Sequence, residues 1–288
     1  MSELDFNENK KFDLFVIGDS FSNQGSRCYK NFLANKNISV LHADPKLVDG
    51  RPIQFTVETL NSSFFDTVDV DYIVLQSVLR EFNQRNENLN LDQKMDVNSL
   101  SIRLKNTSRE SWFNEMLFFS DATVKAPLSF LQYKLFSKTK LYDTYRLRSI
   151  RDDLFSNNPK DLLFYKNDIE NMNFKNDPAR VANSVSTLNK IHSLAKKKGI
   201  KIIVLISPDK YDLYYPFIEN KENQPEPLFF SFYDNMSKKY LNVDTYSLLT
   251  SMIQTTNDVY FYDDTHWSPK AAEKIAEEIF ITINKENM

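Results

Sequence analysis

The chain has 288 residues, with 36 Lys and Arg against 39 Asp and Glu and 41% hydrophobic residues. That is the make-up of a globular protein long enough to bury a core without metal or disulfide staples. A net charge of −3 lacks the basic footprint of a nucleic-acid binder. The 4 glycines exclude phosphate loops of the GxGxxG and Walker kinds. The single cysteine, Cys28, excludes an intramolecular disulfide and zinc sites built on paired cysteines, and His42, His192 and His266 are too scattered to read as a metal cluster.

The N-terminal stretch MSELDFNENKKFD is polar, with no apolar core of a secretory leader. No run of roughly 18 apolar residues is present, so no membrane span is expected. On this reading the chain is cytoplasmic, or extracytoplasmic if a leader or anchor has been removed.

Phe12–Ile17 is a short apolar run ending at Gly18 and reads as a buried strand. Arg27–Asn35 follows as a helix with Ser26 as its cap, then a strand over Ile38–His42 and a helix over Thr56–Leu60. Tyr72–Gln76 is a third strand behind the polar Asp66–Asp71 stretch. From 81 to 183 the character changes, with apolar residues such as Trp112, Met116 and Phe119, or Leu128, Leu131 and Leu135, at helical spacing. A mostly helical insertion over 81–183 is expected within a single domain spanning 1–288.

An amphipathic helix over Ala179–Lys198 follows, closed by a cationic last turn and Gly199. Lys201–Ile206 reads as a strand, Leu228–Tyr240 as a helix, Val243–Tyr246 as a short strand and Val259–Tyr262 as a strand-like run. Pro269–Ile283 closes the chain as a helix behind Ser268. Strands alternating with helices imply an α/β sandwich on a parallel sheet of about five strands.

In such sheets functional residues sit in the loops after the strands. Gly18-Asp19-Ser20-Phe21-Ser22 follows the first strand, and Asp263-Asp264-Thr265-His266-Trp267 precedes the last helix. A serine nucleophile needs a base, and the base needs a carboxylate to hold its tautomer. Ser20, His266 and either Asp263 or Asp264 could supply the three.

GDSFS and DDTHW in that order resemble the SGNH (GDSL-type) hydrolase superfamily, more narrowly the AlgX/AlgJ-like polysaccharide O-acetyltransferases. Ser207-Pro208-Asp209-Lys210-Tyr211 is similar to the P-x-K…Y segment of that group. The likeness covers 12–80 and 180–283. AlgX-type proteins place DTHW before the serine motif, whereas here the serine comes first, as in the wider superfamily. The superfamily spacing would make Asp263 the orienting acid; the AlgX/AlgJ spacing favours Asp264.

The resemblance implies a flavodoxin-like three-layer sandwich and serine-dependent O-acyl transfer to carbohydrate hydroxyls, with esterase action or a non-catalytic polysaccharide-binding role as alternatives. It also implies oxyanion donors in the loops after the second and third strands. Gly50 is the only glycine in the first loop, and no GxND follows the third strand, leaving Gln76 and Arg80; Arg80 reads equally as a carboxylate partner. Trp267 and Trp112 could stack on a sugar, His42 could touch substrate, and Cys28 and His192 read as structural. The 81–183 insertion is the expected acceptor-binding lid. No tightly bound cofactor is expected. The acyl donor is open: acetyl-CoA in a cytoplasmic setting, or a membrane-bound acyl-donor partner outside it.

Overall fold

The computed structural model describes residues 10–96 and 143–286. Five parallel strands form its centre: β1 (Lys10–Ile17), β2 (Val40–Ala43), β3 (Val68–Val78), β6 (Lys201–Ser207) and β7 (Leu241–Asn242). Between β3 and β6 the chain also makes an antiparallel hairpin of β4 (Thr144–Arg148) and β5 (Asp161–Tyr165). The parallel sheet has the order β2-β1-β3-β6-β7. Leaving the hairpin aside, this is the 2-1-3-4-5 order of flavodoxin-like folds, whose chain switches direction across the sheet between β1 and β3. Loops after β1 and β3 therefore flank a crevice at the carboxyl edge.

The apolar runs of the strands divide their side chains between two faces, as a period of two requires. Leu14 and Val16 pack with Tyr72, Val74, Ile203 and Leu205 on one face, beneath helices 29–34, 245–253 and 269–286. Phe15 and Ile17 pack with Ile73, Leu75, Ile202 and Val204 on the other, beneath helices 52–60 and 178–196. The result is an α/β three-layer sandwich. Among the described residues no helix is long and apolar enough to cross a membrane.

Local chemistry sets the long helices. Asp177 accepts from the Ala179 and Arg180 amides, Pro178 takes the first position, and Gly199 ends the 178–196 helix at φ +77. The last helix, Pro269–Glu286, buries Ala272, Ile275, Ala276, Ile279 and Ile283. Ser268 does not cap it through its side chain: the buried hydroxyl has no partner among the described residues, and its carbonyl accepts from Ala272 N–H.

Other expectations need correction. β3 begins at Val68, because Val68-Asp-Val-Asp71 alternates buried and exposed residues and is itself strand. The first helix is only Tyr29–Ala34, and Ser26 lies inside a separate 3-10 turn. The helix expected over 228–240 is the single segment Phe229–Tyr233. Instead of a strand over 243–246, Asp244 caps a helix, Thr245–Ile253. Tyr260 forms only an isolated bridge with Trp267. The insertion is not simply helical: its described part carries the β4–β5 hairpin, whose alternating Leu162 and Phe164 point inward. Trp112, Met116, Phe119, Leu128, Leu131 and Leu135 lie outside the described residues.

The hairpin and the short helices behind it, Lys166–Glu170 and Met172–Lys175, dock on the segment after β6. Phe164 meets Tyr211 edge-on at 5.2 Å and Phe155 stacks on Tyr214 at 5.2 Å. A buried ionic cluster adds to this. Arg80 Nη1 lies 3.2 Å from both Asp168 Oδ1 and Asp209 Oδ1, and Lys175 Nζ lies 2.8 Å from Asp209 Oδ2 and 2.7 Å from Asp212 Oδ2. Two cations thus face three carboxylates. Burial, reinforced by the neighbouring Asp209 charge, pushes Asp168 up to about 8 despite Arg80 and Lys175. The cluster keeps a proton that balances its charge.

The folded protein therefore holds a proton that the unfolded chain releases above the ordinary aspartate value of 3.8. Stability from this source is complete below that pH and is lost as pH rises towards about 8. Asp168→Asn mimics the protonated acid. Thermal melting across this range should show a smaller fall in Tm with pH for Asp168→Asn than for the wild type; equal slopes would show that the retained proton lies elsewhere.

Candidate functional site

Gly18 follows β1 directly, where space is short. A Cβ there would collide with Ser22 Oγ and lie 2.5 Å from Gln76 Oε1. The chain then makes a 3-10 turn, Ser20–Ser22, with Asp19 at its head. Asp19 Oδ1 accepts from Phe21 N–H at 3.1 Å, and Oδ2 accepts from Val78 N–H at 2.8 Å and from Arg85 at 2.7 Å. One carboxylate thus ties the turn to the end of β3.

Gln76 supplies a second tie. Its Oε1 accepts from Asp19 N–H at 2.9 Å and Ser22 Oγ at 3.0 Å, while its Nε2 donates to Ser207 Oγ at 2.8 Å. Ser22 Oγ also pairs with Tyr29 Oη at 2.7 Å. All four side chains are buried. A polar group in this setting must be paired or it costs about 1–3 kcal/mol, so the network fixes the turn. Ser20 is left exposed on its outer side.

The second loop brings His266 to the serine. Its Nε2 lies 2.8 Å from Ser20 Oγ, and its Nδ1 lies 2.7 Å from Asp264 Oδ1. Asp264 Oδ1 also accepts from His266 N–H at 3.2 Å, so the loop closes on itself. The hydrogen bond from His266 holds the Asp264 carboxyl down at about 2, against a smaller opposing effect of burial. Asp264 is therefore ionised at neutral pH. Phe21 lies under the imidazole at 4.6 Å and meets Trp267 edge-on at 4.7 Å.

Of the two candidate acids, Asp264 makes the contact; Asp263 is exposed and makes no bond to His266. Gly50 is an exposed left-handed turn residue at φ +67 and does not line the cleft. Gln76 is committed to the wall of the serine turn, and Arg80 to Asp168 and Asp209. Trp267 is 0% exposed, packed on Phe21 and Tyr29, and offers no free ring face for stacking on a sugar. Trp112 lies outside the described residues. His42 pairs with Lys30 at 2.7 Å, and burial pulls it down to about 4. Cys28 is buried against the Phe21 carbonyl, and His192 is partly buried on helix 178–196.

Ser20, His266 and Asp264 open onto a cleft of about 300 Å³, also lined by Asn23, Gln24, Arg27 and Phe261. Phe261 is 37% exposed, one of few large apolar side chains at the surface of the described residues. No group of three or more His, Cys, Asp or Glu among the described residues is placed to hold a metal ion. The Asp168, Asp209 and Asp212 carboxylates instead surround Lys175 and Arg80. Sequence reasoning missed Arg85, Lys175 and Ser207 as supports. Arg85 had a local signal, since it shares a helix, Leu79–Glu87, with buried Asn83 and Asn86; Lys175 had none.

The doubly wound sheet thus carries a serine turn after its first strand and a histidine loop before its last helix. Residues 160–288 match the family model for the SGNH hydrolase-like domain of the acetyltransferase AlgX. The match includes β5 and the short helices after it, beyond the part covered by the motif resemblance, and stops short of the Gly18–Ser22 turn. A search of curated proteins gives no match.

Gly18→Ala should open the serine turn, since both obstructing groups are buried and paired with other residues. Overpacking of this kind costs about 1–3 kcal/mol. Urea denaturation should show the loss as a lower midpoint. An unchanged midpoint would mean that the turn has room to yield.

Proposed function

We propose that this protein is a serine-dependent O-acyltransferase that moves acetyl groups onto carbohydrate hydroxyls through an acyl-enzyme on Ser20. The reading is carried by the Ser20–His266–Asp264 relay, with distances of 2.8 and 2.7 Å, in a chain whose 160–288 segment matches an acetyltransferase family model. Ser20 Oγ attacks the acyl carbonyl and gives its proton to His266 Nε2. Ionised Asp264 holds Nδ1–H and stabilises the imidazolium that forms. The leaving group takes the proton from His266 as the ester to Ser20 forms. A sugar hydroxyl, deprotonated by His266, then attacks that ester and frees Ser20.

The oxyanion donor proposed here is the Ser20 amide. As the first residue of a 3-10 turn its N–H has no acceptor within the turn. The acceptor sugar would lie along the cleft, its C–H face on Phe261 and its hydroxyls towards Asn23 and Arg27. Water in place of the sugar would make the same site an esterase. A polysaccharide-binding module without turnover is the remaining alternative.

Ser20→Ala should abolish turnover of p-nitrophenyl acetate, because loss of one relay member costs several orders of magnitude. Mass spectrometry of the wild type should show an acetyl group on Ser20, discharged faster with an oligosaccharide acceptor than in water. Discharge at the same rate with and without the sugar would make the protein an esterase, and absence of any adduct would favour the binding module. Asp264→Asn should lower the rate about four orders of magnitude, as the wrong tautomer then prevails. Asp263→Asn should cost little. The reverse order would make Asp263 the orienting acid.

A further inference from the structure

Lys210 is 1% exposed and lies behind the histidine loop, away from the cleft lining. Its Nζ donates to three backbone carbonyls of one short stretch: Phe261 O at 2.8 Å, Tyr262 O at 2.5 Å and Asp264 O at 3.5 Å. The Phe155 and Tyr262 rings lie 5.1 and 5.8 Å from it. Among the described residues no carboxylate is within salt-bridge distance of it. Its acceptors are the main chain of the segment that delivers Asp264 and His266.

The residues around Lys210 make the same connection. Ser207 accepts from Gln76, which holds the serine turn. Pro208 O accepts from Tyr260 Oη at 2.6 Å, just before the histidine loop. Asp209 is anchored by Arg80 and Lys175. Ser207, the last residue of β6, thus reaches the serine turn through Gln76, Asp209 anchors the segment, and Pro208 and Lys210 hold the His266 side.

We infer that Lys210 is a positioning residue for the relay: it pins the 261–264 main chain so that Asp264 and His266 face Ser20. This rests on the acyl-transfer reading above. Burial pulls the Lys210 amine down to about 7, and its donors still need partners in that setting; three carbonyl acceptors in one stretch supply them while fixing its shape. A misplacement of about 1 Å at reacting groups costs up to about a hundredfold in rate.

The test is Lys210→Met, which keeps length and apolar stem and removes the donors. On p-nitrophenyl acetate, kcat should fall about ten- to a hundredfold with KM unchanged. In the Asp264→Asn background the same substitution should cost less than about threefold, because both changes act on one relay. Wild-type kcat in a folded Lys210→Met protein would overturn the inference, as would an equal loss in both backgrounds. Lys210→Gln, smaller and still a donor, is the second variant and should show an intermediate loss of kcat. If neither variant folds, Lys210 is a residue of the fold rather than of the relay, and the inference fails. Ser20→Ala is the control: if it keeps turnover, the acyl-enzyme reading fails instead.

Discussion

The site depends on a carboxamide that the solvent never reaches. Gln76 sits at the end of the central strand β3, and its oxygen takes hydrogen bonds from Asp19 N–H and Ser22 Oγ while its nitrogen donates to Ser207. The chain leaving β1 can turn sharply only because this acceptor waits beneath it. Gly18 is bare of a side chain for the same reason, since a methyl group there would occupy the space the amide needs. With the turn fixed, Ser20 has one exposed direction, and the histidine loop meets it there. A buried polar network that is fully paired specifies one arrangement, whereas a partly paired one is costly.

The fold was legible because the strands write their burial into the sequence. Runs such as Phe12–Ile17 and Lys201–Ile206 are apolar on both faces, and only a covered parallel sheet uses such strands. Ser20 and His266 were legible because each lies in a short motif at an expected place in that architecture. What failed was whatever depended on partners distant in sequence. Gln76 and Arg80 looked like donors for an oxyanion because they follow β3. Gln76 instead points into the wall, and Arg80 towards two aspartates, one of them 129 residues away. Trp267 beside the histidine invited a sugar-stacking role, yet the core beneath Phe21 claims its ring. The β4–β5 hairpin hid because its first strand, Thr-Tyr-Arg-Leu-Arg, alternates over only five residues, with two apolar side chains that stay half-exposed.

The hairpin and its following helices bring Asp168 and Lys175 against Asp209 and Asp212 in a space without water-facing room. Removing one member would leave a buried charge uncompensated, which is far worse than never having placed the group there. The β6 end is held on one side by this cluster and on the other by the polar contacts of Ser207, Pro208 and Lys210. The insertion therefore reaches the site through its foundations as well as through its position near the strand edge.

Ser20 and His266 are 246 positions apart in the chain yet 2.8 Å apart in space. The loop that closes between them spans the sheet, the hairpin and most of the helices, and the last helix reaches the first by packing 269–286 against 29–34. Closing so long a loop is a late and entropically unfavourable event, made favourable only by contacts already in place. The alignment of Ser20 with His266 is then a clock for the end of folding. During refolding it would return after secondary structure and sheet burial are complete, and during heating it would be lost as soon as the final helix loosens, ahead of the core.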